Sequence, residues 1–251
     1  MSAVQLYQGT GQYVVGNVIQ NSMYEHPDGV SGGQIYIGGP GASTYASIAN
    51  NYINGNYWDT TGKNTGNTDI LCNPGTGLFT FGIEASGTGH RYYNNTVIQN
   101  MGWGIFLRPW DTSAAETLSS NIVSGYDPFC TGGCTFVPHY VENNGGCWTL
   151  YNCYAGGFWP AQYGMAGINA DNYVAGGGSG TGTISNLTLD HVRSRNNARF
   201  GVFIYGATGG PGFTDSANSS INYACITGNG AANLSSTNSA SGYNSYTNLC
   251  P

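Results

Sequence analysis

The apolar residues of this chain come in short runs that return in one recognisable phrase. An aliphatic residue is followed three positions later by Asn, then by another apolar residue, then by Asn or Gly. The phrase reads Val14-x-x-Asn17-x-Ile19-x-Asn21, Ile48-x-x-Asn51-x-Ile53-x-Gly55 and Leu118-x-x-Asn121-x-Val123-x-Gly125, with looser copies at Tyr92–Asn100, Ile184–His191 and Ile221–Asn229. A second phrase, Gly followed by a short alternating run, appears at Gly82-Ile83, Gly104-Ile105, Gly167-Ile168 and Gly201-Val202. No stretch keeps an apolar period of 3.6. The runs are rich in Val, Ile, Tyr and Phe and bounded by Gly, Asn and Ser, which predicts strands. Repetition at this scale predicts a solenoid. Ile83 to Ile105 spans 22 positions, about one coil. Ile168 to Val202 spans 34, one coil plus a loop. Ile35 to Ile83 spans 48, read as two coils.

Asn has physical work in such a coil. It tolerates a left-handed backbone at a corner, and stacked Asn side chains hydrogen-bond from coil to coil as ladders do in other stacked sheets. A β-sandwich is the alternative, but it calls for two-residue hairpin turns at regular spacing, and the turns here are irregular. The expected fold is therefore all-β: one parallel β-helix domain over residues 1–251, with coils over roughly 12–230 and a surface tail over 231–251. Insertions near 57–77 and 126–146, the latter carrying Asp127, Cys130, Cys134, His139 and Glu142, interrupt the rhythm. Such insertions are expected to leave one face and wall a groove. Nothing at the N-terminus reads as a cap. A bare coil end is a β edge, to be covered by a missing segment or a partner, and self-association there follows.

Composition narrows the function. Charged residues make up only 7% of the 251 positions, yet 40% hydrophobic content with 19 Tyr provides ample surface to bury, which excludes a disordered chain. A net charge of −6 with six Lys plus Arg leaves no basic footprint, so nucleic acid and anionic membrane surfaces are excluded as partners. No apolar run is long enough to span a bilayer. Seven cysteines include Cys130 with Cys134 and Cys147 with Cys153, spacings that suit loop-closing disulfides, and Cys225 with Cys250, which would tie down the tail; Cys72 is the most isolated. Zinc is the rival reading, disfavoured because C-x2-C spacing is absent and His139 stands alone. Disulfides, low charge and sequons at Asn94, Asn186, Asn218 and Asn233 point to a secreted protein, and the missing signal peptide to a mature or truncated form.

The Asn-x-Val/Ile-x-Asn/Gly coils and the Gly-Ile/Val strands resemble the right-handed parallel β-helix superfamily, the pectate-lyase-like group. That resemblance implies the fold; its members include polysaccharide lyases, glycoside hydrolases, uronate epimerases, phage tailspikes and non-catalytic surface proteins, so it leaves the reaction open. Tyr126-Asp127-Pro128-Phe129 resembles the Tyr-Gly-Phe-Asp-Pro-His motif of mannuronan epimerases, but Gly is missing and Phe129 stands where His belongs. Leu189-Asp190-His191-Val192 is similar to the Asp-His turn of many β-helices, without the Arg-x-Pro-x-x-Arg of pectate lyases. The Asp-Asp and Gly-His-Gly motifs of polygalacturonases are also absent, Gly89-His90-Arg91 being a fragment of the latter. Tyr24-Glu25-His26-Pro27-Asp28-Gly29 reads as an ordinary turn, and the cluster Arg193, Arg195 and Arg199 as corner packing and surface pairing.

Alternation sharpens the reading. If Ile83, Ile105, Ile168 and Val202 point inward, one outward column holds Tyr36, Glu84, Phe106, Asn169 and Phe203, and the next holds Gly38, Ser86, Arg108, Asp171 and Tyr205. Trp110 and Asp111 lie just beyond. Exposed aromatic platforms with a few carboxylates suit sugar rings, so the expected partner is a polysaccharide or surface glycan. Glycoside hydrolysis needs two carboxyl groups, about 5 Å apart for retention or roughly 6.5–9.5 Å for inversion. Glu84, Asp111 and Asp171 are the candidates, with Tyr36, Phe106, Arg108, Trp110, Phe203 and Tyr205 binding substrate and no cofactor. A lyase would use Arg108 as base and calcium on the uronate, but a chain with so few cations is poorly built to attract an acidic polymer, so a neutral one is expected. The competing readings are a surface ion pair of Glu84 and Arg108 with the aromatics under loops, a structural or adhesive β-helix, and a non-catalytic glycan binder.

Overall fold

In the computed structural model the described residues are 2–20, 32–38, 44–55, 72–73, 78–100, 102–107, 117–119, 121–125, 139–145, 166–171, 173–174, 178–179, 183–185, 187–205, 220–222, 224–236 and 250, and the account below concerns these. Three parallel sheets run the length of the molecule. The first stacks β1 (Val4–Tyr7), β4 (Gly32–Gly38), β8 (Leu78–Ala85), β11 (Ile105–Leu107), β15 (Ile168–Asp171), β21 (Phe200–Tyr205) and β24 (Ala232–Ser236). The second stacks β2 (Tyr13–Val15), β5 (Ser47–Ala49), β9 (Arg91–Tyr93), β13 (Ile122–Ser124), β19 (Thr188–Asp190) and β22 (Ser220–Asn222). The third stacks β3 (Val18–Gln20), β6 (Tyr52–Asn54), β10 (Thr96–Ile98), β14 (His139–Glu142), β20 (Val192–Arg195) and β23 (Cys225–Thr227). Smaller pairings join β12 (Thr117–Ser119) to β18 (Thr183–Ser185), β16 (Tyr173–Val174) to β17 (Gly178–Ser179), and β7 (Cys72–Asn73) to β8. Visiting the three sheets in turn, coil after coil, makes the chain a parallel β-helix.

The core is the stack of inward residues. Ile35, Ile83, Ile105, Ile168 and Val202 come from the first sheet, Ile48, Tyr92, Val123 and Leu189 from the second, and Ile53, Val97, Val141 and Ile226 from the third. Each alternates with an outward neighbour, as period-two patterning requires.

Asparagine ladders tie the coils together. At the corner between second and third sheets, Asn17 donates from its backbone N and its Nδ2 to Asn51 Oδ1, each at 3.0 Å, and Asn51 does the same to Asn95. At the corner leading back to the first sheet, Asn100 donates to Asn144 Oδ1, Asn144 to Asn197 and Asn197 to Asn229. The residue before each rung is left-handed: Gly16, Asn50, Asn94, Gln99, Asn143, Asn196 and Gly228 all have positive φ. The two jobs expected of Asn thus fall to adjacent residues, one bending the chain and one bonding the stack.

The recurring Gly belongs to the same device. A Cβ on Gly104 would meet Asn144 Nδ2 at 2.8 Å and Gly167 O at 2.6 Å, and one on Gly167 would meet Asn197 Nδ2 at 2.5 Å. The coils that begin at Gly82, Gly104, Gly167 and Gly201 therefore open on a Gly that leaves room for the ladder Asn closing that same coil.

Some expectations change. Ile35 pairs directly with Ile83, so these are neighbouring coils separated by an insertion, not two coils apart. Ile83 with Ile105, and Ile168 with Val202, are neighbours as read. The coils reach from Val4 to Ser236, because β1 and β24 extend the first sheet at both ends. His139 and Glu142, read as part of an insertion, lie on β14 inside the stack. The two insertions also leave at different corners, after β6 of the third sheet and after β13 of the second, rather than from one face. Cys225 and Cys250 form the expected disulfide; Cys130, Cys134, Cys147 and Cys153 lie outside the described residues.

His139 replaces a rung. It follows Asn95 in the ladder column, fully buried. Burial lowers its pKa to about 3, with the nearby backbone of Ser124 and Tyr92 pulling weakly the other way. A folded-state pKa below the unfolded value of about 6.5 means that the unfolded chain binds the extra proton first. Stability is then full above about pH 6.5 and falls as pH drops from there toward 3. Urea unfolding between pH 7 and pH 4 should show this loss, and His139→Asn should flatten it.

Asn144 is buried and bonded on both sides, to Asn100 above, Asn197 below and Val97 O. Asn144→Ala should lower the unfolding free energy by roughly 3 kcal/mol, because it strands buried donors and acceptors. Asn143→Gly, at a left-handed position one residue earlier, should stay within about 1 kcal/mol of the parent. Denaturant melts of the two variants check the division of labour.

Candidate functional site

The outward face of the first sheet carries most of the chain's candidate chemistry. Register pairs Tyr36 with Glu84, Glu84 with Phe106, Phe106 with Asn169 and Asn169 with Phe203, so the column aligned from sequence exists as a row of adjacent side chains. Asp171 pairs with Tyr205 in the next column. Arg108, Trp110 and Asp111 lie outside the described residues. Asp171 and Tyr205 are placed by their backbone on strands β15 and β21.

The face is closed rather than open. Tyr36 is 6% exposed, Glu84 2%, Phe106 0% and Phe203 2%. The expectation of exposed aromatic platforms therefore fails, and part of the reason is aromatic packing. Phe106 stacks on Trp103 with ring centroids 5.0 Å apart and meets Phe81 at 5.1 Å; Phe200 stacks on Phe203 at 4.8 Å. Phe81, Trp103 and Phe200 each stand immediately before a coil-opening Gly. The corner at that Gly turns the preceding residue outward, so they form a third column beside the other two. Aromatic-Gly doublets were the sequence signal that would have revealed it.

Glu84 sits between Tyr36 and Phe106 on neighbouring strands, a carboxylate flanked by two aromatic residues. Room for it comes from Gly33, where a Cβ would lie 2.7 Å from Glu84 N and 3.0 Å from Glu84 Cβ. Beside it, the Tyr36 hydroxyl folds over Gly38, with Ser86 Oγ close by. Ser86 is 3% exposed, and its hydroxyl has no hydrogen-bond partner among the described residues. Asp171 is two coils and two residues from Glu84. At about 4.8 Å per coil and 3.3 Å per residue, their Cα atoms are roughly 12 Å apart.

Other charged groups are paired among themselves. Glu142 receives Arg195 Nε at 3.0 Å and Nη2 at 3.2 Å, while Arg193 Nε lies 2.9 Å away. Arg193 also covers the Tyr140 ring, and Arg199 the Phe200 ring. Asp190 pairs with His191, which occupies a left-handed corner. His90 is a second imidazole of the stack: Nδ1 accepts from Ala46 N, which leaves Nε2–H to donate to Ser86 O. Burial pushes its pKa down, partly offset by the Ser86 carbonyl. Among the described residues, no group of three His, Cys, Asp or Glu is arranged to hold a metal ion.

No protein-family model matches the chain, and no curated protein matches it. Among solved structures it is similar to the crystal structure of pectate lyase Pel9A, at 12% identity with a TM-score of 0.38, over 93% of this chain and 52% of that one. The chain thus spans about half the length of that structure.

If Phe106 packs as described, Phe106→Ala should cost about 3–5 kcal/mol of stability, the penalty for emptying an aromatic site in a packed cluster. An exposed platform would lose less than about 1 kcal/mol. Thermal and urea melts separate the two.

Proposed function

We propose that this chain is a secreted carbohydrate-active enzyme, a glycoside hydrolase acting on a neutral polysaccharide. The observation that carries the reading is Glu84 held in register between Tyr36 and Phe106 on the outward face of one sheet. A carboxylate framed by aromatic rings matches both faces of a sugar, the apolar C–H surface and the polar rim. Glu84 and Asp111 serve as the acid/base pair, with Asp171 as the substitute partner. Tyr36, Phe106, Trp110, Phe203 and Tyr205 form subsites, and Arg108 orients the substrate. A net charge of −6 with six cations favours a neutral polymer over a uronate. The Cys225–Cys250 disulfide supports an extracellular setting.

Burial of Glu84 sets a condition on this reading: substrate has to displace whatever covers the column. Glu84→Gln tests that directly. Purified protein is offered neutral and acidic polysaccharides, with and without a calcium chelator, and reducing ends and unsaturated products are read together. New reducing ends without unsaturation, unaffected by the chelator, are expected. Glu84→Gln and Asp111→Asn should each lower turnover by about 10²–10⁴ while the melting temperature holds. Full activity in both variants overturns the site. Unsaturated products replace hydrolysis with elimination, the chemistry for which Arg108 is the candidate base.

A further inference from the structure

We propose that Ser86 and the notch beside it at Gly38 form a hydroxyl-binding subsite on the Glu84 face, and that its ligand is a neutral sugar. The inference rests on the reading of that face as a carbohydrate site.

Ser86 directly follows β8, two residues from Glu84 on the same outward face. Its backbone is held on both sides. Ser86 N donates to Ile37 O at 2.8 Å, and His90 Nε2 donates to Ser86 O at 2.8 Å. The residue is 3% exposed, yet its hydroxyl bonds to nothing among the described residues. Leaving such a group buried and unmatched costs about 1–3 kcal/mol, and folded proteins keep few of them. The backbone clamps fix where Ser86 stands, so its hydroxyl is held ready for a group that the free chain does not supply.

The notch adjoins it. Gly38 stands beside Ser86, because Ile37 pairs with Ala85 one residue earlier. The φ of Gly38 is not positive, so backbone conformation does not require glycine there. Space does. A Cβ on Gly38 would lie 2.7 Å from Tyr36 Oη and 3.1 Å from Ser86 Oγ. The two hydroxyls therefore converge on the opening that the glycine leaves. Tyr36 lies over this opening in the free chain and is the cover a ligand has to turn aside.

A sugar hydroxyl fits these groups. It donates and accepts at once, as Ser and Tyr hydroxyls do, and it can also donate to the Glu84 carboxyl. An ionised acidic group brings no proton to that carboxyl. Two residues along a strand place Glu84 and Ser86 about 7 Å apart, roughly the breadth of one sugar ring. A site that bonds a ligand hydroxyl also rejects analogues that lack it.

Titration calorimetry of the intact chain with the hexaoses of cellulose, xylan and mannan tests this. At least one is expected to bind. Ser86→Ala should weaken that binding about three- to tenfold, the loss of one hydrogen bond. Its melting temperature should stay or rise, because the hydroxyl bonds nothing in the free chain. Gly38→Ala, which fills the notch, should weaken binding further. Binding of none of the three overturns the proposal, as does Ser86→Ala binding like the parent. A lowered melting temperature in Ser86→Ala overturns it too, since the hydroxyl would then serve the fold. The hydrolase reading falls separately. Turnover of a polysaccharide with binding indifferent to Ser86→Ala keeps the enzyme and removes the subsite. Binding that depends on Ser86 without turnover keeps the subsite and removes the enzyme.

Discussion

Everything in this molecule depends on a side-chain amide that bridges successive coils. A parallel β-helix satisfies its backbone within the sheets but leaves polar groups at each corner, where the strands break. Here Asn17, Asn51 and Asn95 fill one corner, and Asn100, Asn144, Asn197 and Asn229 another. Each interior rung donates and accepts along the stack, so its burial carries no unpaired amide cost. The glycines follow from this. Gly104 and Gly167 must be small because a ladder Asn lies against them. Two phrases that look separate in the sequence are the opening and the closing of one coil.

The ladder also explains where the stack tolerates change. Column positions beyond Asn95 hold His139, then Val192 and Ala224. A neutral imidazole, like the amide, carries both a donor and an acceptor, and burial keeps it neutral. The apolar residues that follow give up the side-chain bonds altogether. At the third corner the column mixes Ala46, His90 and Asn121, joined through Ala46 N to His90 Nδ1 and His90 N to Asn121 Oδ1. The phrase around Asn121 copies the one around Asn51, yet it occupies this different corner. The same local chemistry serves wherever a strand must end and the next coil must be held.

Outside the core, the first sheet builds a second apolar layer. Phe81, Trp103 and Phe106 pack against one another, and Glu84 is enclosed on the same face. Enclosing a carboxylate is costly unless its surroundings answer it. That cost is the physical reason to regard Glu84 as a residue kept for chemistry or for a specific internal contact, rather than as an accident of a nearly uncharged surface.

Strand class and the inward or outward parity of Tyr36, Glu84, Phe106, Asn169 and Phe203 were determined by sequence alone. Alternation is a local property, and it runs uninterrupted from each coil-opening Gly to the end of its strand. The doublets Asn50-Asn51, Asn94-Asn95, Asn143-Asn144 and Asn196-Asn197 marked the corners just as locally, and the third of them would have placed β14 correctly. What only the tertiary structure decided was adjacency and cover. Ile35 lies beside Ile83 although an insertion separates them, because a sheet pairs strands by space and is indifferent to the length of chain between. Likewise, outward did not mean exposed. Phe106 is closed off by Trp103, three residues before it, and by Phe81 from the neighbouring coil, and no local pattern around Phe106 contains Phe81.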